Sequence, residues 1–130
     1  MADVCARPNP KGQIGQLGEK LAARHLTALG CRLLARNYRV GRLGELDLVM
    51  LAEDGVTLCF VEVKTRTGMA YGRPAEAVTA DKRRRIRRMA QVFLQSQAVH
   101  QGKPLRFDVV EVMIDKTRRT ARVHHIPQAF

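Results

Sequence analysis

Apolar residues recur along this chain with two different periods, and the switches between them outline the elements. From Gly12, "GQIGQLGEKLAARHLTALG" sets Ile14, Leu17, Leu21 and Ala28 at helical spacing, and Gly30 suits a C-terminal cap. "CRLLARNYRV" then predicts a short strand, ended by "GRLG". "ELDLVML" and "TLCFVEVKT" predict two further strands, and the Asp-Gly in "AEDGV" is a hairpin signal between them. "TRTGMAYGRPAEAVTA", with Pro74 inside it, predicts a long loop of the kind that often carries function. A second helix starts near Thr79, with Ile86, Met89, Ala90, Phe93 and Leu94 on one face. Gly102 and Pro104 close that region. "LRFDVVEVMID" is a fourth strand apolar on both faces, and "ARVHHIP" a fifth at an edge.

The order is therefore helix, three strands, helix, then one or two strands. Tight turns make the middle strands antiparallel, while the second helix can carry the chain back to a parallel neighbour. The expected fold is α/β in the broad sense, an α+β mixed sheet with helices packed against it. A length of 130 residues fits one domain, taken as residues 12–130. Residues 1–11, with Pro8 and Pro10, are expected to form a flexible arm.

Charge changes the picture. Lys and Arg number 23 against 12 Asp and Glu, a formal net charge of +11, which favours a polyanionic partner. Most of that excess lies after Thr67, where 13 basic residues face 5 acidic ones. Aromatic residues make up only 5 % of the chain, with no Trp, a poor basis for stacking single-stranded bases. A partner read through its backbone and shape fits better. Cys5, Cys31 and Cys59 form no disulfide framework or Cys-x-x-Cys metal pair, and read as buried or free thiols in a reducing cytoplasm. "MADVCARPNPKGQ" has no signal-peptide core, and no apolar run approaches the roughly 20 residues of a membrane span.

Within "GELDLVMLAEDGVTLCFVEVKTR", Asp47, Glu62 and Lys64 are set directly into strands. Residues two apart in a strand share a face, so Glu62 and Lys64 point one way while Cys59, Val61 and Val63 point to the core. Asp47 comes from the neighbouring strand of the hairpin and can reach the same spot if the register allows. Mg²⁺ or Mn²⁺ is held by such hard oxygen ligands, usually one or two carboxylates with water and phosphate oxygens. A metal there would polarise a phosphate and acidify a bound water, and Lys64 would orient that water or stabilise charge on phosphate oxygens. Glu45 is either a further ligand or a residue that merely follows the Gly44 turn. Glu53 and Asp54 are turn residues.

These residues carry a resemblance. "GELD", fourteen residues, then "EVK" resembles the PD-(D/E)xK nuclease superfamily, with Asp47, Glu62 and Lys64 in the motif positions and Leu46 where its proline would stand. The element order likewise resembles that superfamily's restriction-endonuclease-like core. "GQLGE" is similar to the first-helix motif of archaeal Holliday junction resolvases, which implies an auxiliary metal-site role for Glu19. More closely, Gly12 to Ile126 resembles the small bacterial YraN-like family (UPF0102), through "GELDLV", "FVEVKTR" and "EAVTADKRRRI". The resemblance implies a metal-dependent endonuclease cutting phosphodiester bonds, DNA before RNA, with branched or junction DNA among the candidate substrates. The alternative is a non-catalytic nucleic-acid-binding or accessory protein that keeps the nuclease fold.

"DKRRRIRRMAQ" supports nucleic acid on other grounds. Lys82, Arg83, Arg84, Arg85, Arg87 and Arg88 crowd one helix with only Asp81 to offset them. A phosphate backbone would relieve their repulsion, and Arg can grip phosphate with two hydrogen bonds. In the nuclease superfamily that the chain resembles, helices at this place sometimes contribute a site residue, which implies that Lys82 or a neighbour lies near the cleft. A membrane role is disfavoured because the apolar stripe of this helix is needed for its own core. Symmetrical cutting of two strands would suit a homodimer. His124 and His125 point to opposite faces of a strand and read as edge polar residues, while His25 and His100 have no recognisable partner.

Overall fold

The computed structural model describes residues 12–68 and 78–130. Both the expected N-terminal arm and the centre of the long loop lie outside the described residues. The elements are α1 (Gln13–Ala28), β1 (Arg32–Val40), β2 (Gly44–Leu51), β3 (Leu58–Thr67), α2 (Ala80–Gln95), a 3₁₀ turn (Ala98–His100), β4 (Leu105–Asp115) and β5 (Thr120–Ile126). The five strands form one sheet in chain order, with β3 and β4 parallel and every other neighbouring pair antiparallel. The expected α+β mixed sheet is present, and α2 makes the crossover between the parallel strands. Among the described residues, no helix is long and apolar enough to cross a membrane.

The sheet is covered by a helix on each face, and strand alternation divides the core accordingly. Leu48, Met50, Cys59, Val61, Val110 and Val112 pack with Ala22 and Leu26 of α1. Val49, Leu58, Phe60 and Val109 pack with Ile86, Met89, Ala90 and Phe93 of α2. On α1 the buried face differs from the expected one. Leu17 is 41 % exposed, while Gly18, Glu19, Ala22, Ala23 and Leu26 are buried. Gly18 explains the rotation, because a Cβ there would fall 1.9 Å from Thr65 Oγ1. Only a residue without a side chain lets the helix sit this close to β3.

The Asp-Gly turn forms as expected. Gly55 has φ +73°, and the Asp54 carboxylate accepts hydrogen bonds from the N–H groups of Val56 and Thr57, both at 2.8 Å. Those bonds, with that from the Thr57 hydroxyl, lower the Asp54 pKa to about 2. In contrast, β3 runs past the expected loop boundary to Thr67. Its parallel ladder with β4 holds it from Leu58↔Leu105 to Thr67↔Ile114. Of the three cysteines, Cys31 and Cys59 are buried free thiols, and burial pushes Cys59 up to about 12.

Candidate active site

The site arises where the sheet forks. Pairing between β2 and β3 runs only from Leu51↔Leu58 to Leu48↔Val61. Beyond that point β2 stays with β1, through Tyr38↔Leu46 and Val40↔Gly44, while β3 stays with β4. Asp47 and Glu62 are the next residues on the two parting strands, so the register needed to bring them together is the one present. The Asp47 Oδ2 accepts a hydrogen bond from the Val63 N–H at 2.9 Å. A side chain thus ties the strands where the backbone ladder has ended.

The fork opens a cavity of about 410 Å³, whose acidic lining is Glu45, Asp47 and Glu62 and whose basic lining is Arg39, Lys82 and Arg85. Ile86 and Met89 of α2 form its apolar wall. Asp47 and Glu62 are both buried, at 7 % and 9 % exposure. Burial raises the Glu62 pKa, and the nearby Asp47 charge raises it further. Lys82 opposes this with its ammonium 2.5 Å from Glu62 Oε2, and Lys64 adds a smaller opposing charge. Thr79 caps α2 by accepting from the Lys82 N–H at 3.2 Å, which fixes the first turn that carries the Lys82 side chain.

The remaining sequence candidates are distributed around this centre. Lys64 follows Glu62 on the same face of β3 but does not line the cavity. The register sets it opposite Glu111 of β4, a buried acid that pairs with Arg66 at 4.0 Å. Glu19 is 2 % exposed on α1, beside the Gly18–Thr65 contact, and does not line the cavity either. Glu45 does line it, with Oε2 3.7 Å from Arg39 Nη1 and a buried Oε1 that has no hydrogen-bond partner among the described residues. Among the described residues, no three His, Cys, Asp or Glu side chains gather closely enough to hold a metal together. The compact acidic set is therefore the pair Asp47 and Glu62. A pair suffices for a hard divalent ion that keeps much of its water.

The basic residues of α2 divide by helix flank. Lys82 and Arg85 face the cavity, and Arg84, Arg85 and Arg88 face a neighbouring one. Arg83 and Arg87 face elsewhere. Arg83 Nε donates to the Val78 carbonyl at 2.9 Å, and its guanidinium lies 5.7 Å from the Phe130 ring centre. Arg87 lies over Phe107 and Phe130, at 5.2 and 5.3 Å. Those two cations pin the C-terminal segment to the sheet.

Sequence reasoning missed Arg39 and Arg42, although "YRVGRLGE" carries a usable signal. A tight β1–β2 turn must place basic residues on its limbs beside the start of β2. It also missed a buried network on the opposite face of the sheet. Asp108, 0 % exposed, accepts from Arg106 Nε and Nη2 at 3.0 Å each and from the Gln128 N–H at 3.0 Å. His125 Nε2 lies 2.7 Å from Asp108 Oδ2, so His125 is no mere edge residue. The Arg-x-Asp spacing in β4 signals a same-face pair, but the part played by β5 needs the register. His100 likewise has company, its ring stacked 6.3 Å from Phe93.

A mixed sheet forked around an acid pair and a lysine defines a small α+β protein with a charged cleft. The chain belongs to the family described as "Uncharacterised protein family UPF0102", whose model matches residues 18–112. A UPF0102 protein of Nocardia farcinica is 46 % identical over 129 residues, covering 99 % of this chain and 98 % of the relative. One from Symbiobacterium thermophilum is 53 % identical over 100 residues, covering 77 % and 81 %. One from Pelotomaculum thermopropionicum is 44 % identical over 117 residues, covering 90 % and 94 %. The family match thus spans both strands of the fork and all of α2.

Proposed function

We propose that the protein is a metal-dependent endonuclease that hydrolyses phosphodiester bonds in nucleic acid, DNA before RNA. The observation that carries this reading is the acid pair at the fork. Asp47 and Glu62 are both buried on the wall of an open cavity, where burial and the Asp47 charge hold the Glu62 pKa up despite Lys82. The pair fits Mg²⁺ or Mn²⁺ by the chemistry of its donors, two hard carboxylates beside solvent space. Such an ion, when bound, polarises a phosphate and lowers the pKa of a coordinated water.

The chain's own residues supply the rest. The Val63 N–H orients Asp47 through Oδ2, and Lys82 orients Glu62 through Oε2. Arg39 and Arg85 present cations to the same cavity, suited to the non-bridging oxygens of a phosphate. Lys64 shares the Glu62 face of β3 outside the cavity lining, and its charge acts on the site through Glu62, whose ionised form it favours. Ile86 and Met89 keep one wall dry, which strengthens each of these interactions.

A second reading is favoured by Lys82. Its ammonium already neutralises Glu62 at 2.5 Å, as it would in a non-catalytic nucleic-acid-binding protein that had kept the nuclease fold. Incubation with linear, flapped and branched DNA in Mg²⁺ or Mn²⁺ separates the two. The nuclease reading expects cleavage that falls at least about 100-fold in Asp47→Ala, in line with removal of a charge-stabilising group. Equal cutting by wild type and variant removes the assignment, and salt-sensitive binding without cutting supports the second reading.

A further inference from the structure

The cavity at the fork has a neighbour. Arg42 of the β1–β2 turn and Arg84, Arg85 and Arg88 of α2 line a second cavity of about 500 Å³, with Asp81 as its one acid among the described residues. Leu43 and Arg85 line both cavities, so the two share a wall. The turn that presents Arg42 is closed by the Leu43 N–H donating to the Val40 carbonyl at 2.9 Å, with Gly41 at φ +49°. Arg84 is engaged by Asp81 one turn earlier on the helix. Arg42, Arg85 and Arg88 have no carboxylate partner among the described residues.

Three guanidinium groups from two separate elements converge here without a carboxylate partner among the described residues. Helix and turn are each held by their own backbone bonds, so mutual repulsion is not relieved by either giving way. Each guanidinium offers a planar fork of donors, and together they suit an anion with several acceptor oxygens and a full charge. A carboxylate would satisfy one fork, whereas a phosphodiester can engage two.

We propose that this arginine cavity is a phosphate subsite holding a neighbouring phosphate of the strand whose scissile phosphate faces Asp47 and Glu62. The inference rests on the nucleic-acid reading above and sharpens it. The substrate is then an oligonucleotide engaged at two or more phosphates, and Arg85 on the shared wall sets the path of its backbone between them. Arg83 and Arg87, turned toward Phe107 and Phe130, take no part.

The test is binding of a fluorescently labelled DNA duplex of about 16 base pairs, a length that offers both subsites with room to spare. Binding is measured in EDTA and followed by anisotropy across a series of NaCl concentrations. Three proteins are compared: wild type, an R42A/R88A double variant, and a K20A/R24A double variant. Lys20 and Arg24 are exposed on α1, across the sheet, so the second variant removes equal charge from a remote place. Removing one phosphate contact should reduce the slope of log K against log salt by about 0.9. R42A/R88A should therefore flatten the slope by about 1–2 and weaken low-salt binding by roughly tenfold or more. K20A/R24A should move neither by half as much, and thermal melts should show both variants folded.

Equal effects of the two variants would overturn the subsite while leaving the nucleic-acid reading in place, since only total charge would then matter. A wild-type protein that fails to bind the duplex overturns both. Vesicles containing phosphatidylserine form a third arm. If R42A/R88A abolishes vesicle binding but keeps duplex binding, the cavity serves an anionic lipid surface and the proposal is wrong.

Discussion

Two groups of buried acid lie one strand apart on opposite faces of the same sheet, and the protein treats them differently. Asp108 is sealed from solvent and ringed by Arg106, His125 and the Gln128 N–H. Asp47 and Glu62, almost as buried, border an open cavity, and the Asp47 charge makes Glu62 harder to ionise. The raised Arg106 pKa, due chiefly to its hydrogen bonds with Asp108, is the mark of a mutually stabilising pair. The raised Glu62 pKa, due first to burial and then to the Asp47 charge, persists although Lys82 and Lys64 oppose it. The first network locks β4, β5 and the C-terminal segment together. The second sets two acids beside an open cavity with Lys82 close to one of them, where a bound cation would further favour ionised Glu62.

That difference makes Asp108 the place where substitution should hurt folding most. Asp108→Ala leaves Arg106 and His125 facing an empty buried spot, and breaking a buried ion pair from one side costs about 3–5 kcal/mol. Urea unfolding reads it directly. A destabilisation below about 1 kcal/mol would mean that the network is ornamental and the contrast with the fork false.

Glu62→Gln should act in the opposite direction. The folded protein holds the Glu62 proton more tightly than the unfolded chain does, because burial and Asp47 raise its pKa. Stability from this group is therefore greatest in acid. It falls as the pH rises from the ordinary glutamate pKa through the raised one. The substitution should remove that fall and stabilise the protein at pH 7 by about 0.5–2 kcal/mol, the usual scale of relief at a functional site. Thermal melts across the acid-to-neutral range would show it as a flatter curve. Destabilisation at neutral pH would instead make the Lys82–Glu62 contact a structural one.

The smallest effect belongs to the arginines that face away from the cavity. Arg87→Ala removes the cation over Phe107 and Phe130, worth about 0.5–1 kcal/mol at an exposed site. It should lower the melting temperature slightly while leaving the salt dependence of DNA binding nearly as in wild type. A change in salt slope as large as one whole phosphate contact, about 0.9, would return Arg87 to the interface.

Much of this is legible in the sequence because period-two and helical patterns are local. The Asp-Gly turn defines the β2–β3 hairpin, and the hairpin brings Asp47 level with Glu62. A helix between two strands is long enough to serve as a crossover, and the parallel pairing of β3 with β4 uses α2 in that way. What stays hidden depends on contacts between distant segments. The fork requires β2 to leave β3 after Leu48↔Val61, and nothing near Leu48 signals it. The true buried face of α1 depends on Gly18 meeting Thr65, far away in sequence. The six basic residues of α2 form one run in the sequence, and contacts with distant residues sort them, Glu62 for Lys82 and the rings of Phe107 and Phe130 for Arg83 and Arg87. Arg39 reads as an ordinary strand residue and Arg42 as an ordinary turn residue until the end of β1 and its turn are set beside the cavities.

Calorimetric titration of the metal-free protein with Mn²⁺ tests the central claim most directly. Wild type should bind one ion per chain. Asp47→Ala and Glu62→Ala should each weaken binding at least about tenfold, the scale seen for removal of groups that support a metal. The R42A/R88A variant should bind Mn²⁺ as wild type does. Binding that is equally strong in wild type, Asp47→Ala and Glu62→Ala, or no binding by wild type at all, would contradict the assignment of the fork as a metal site.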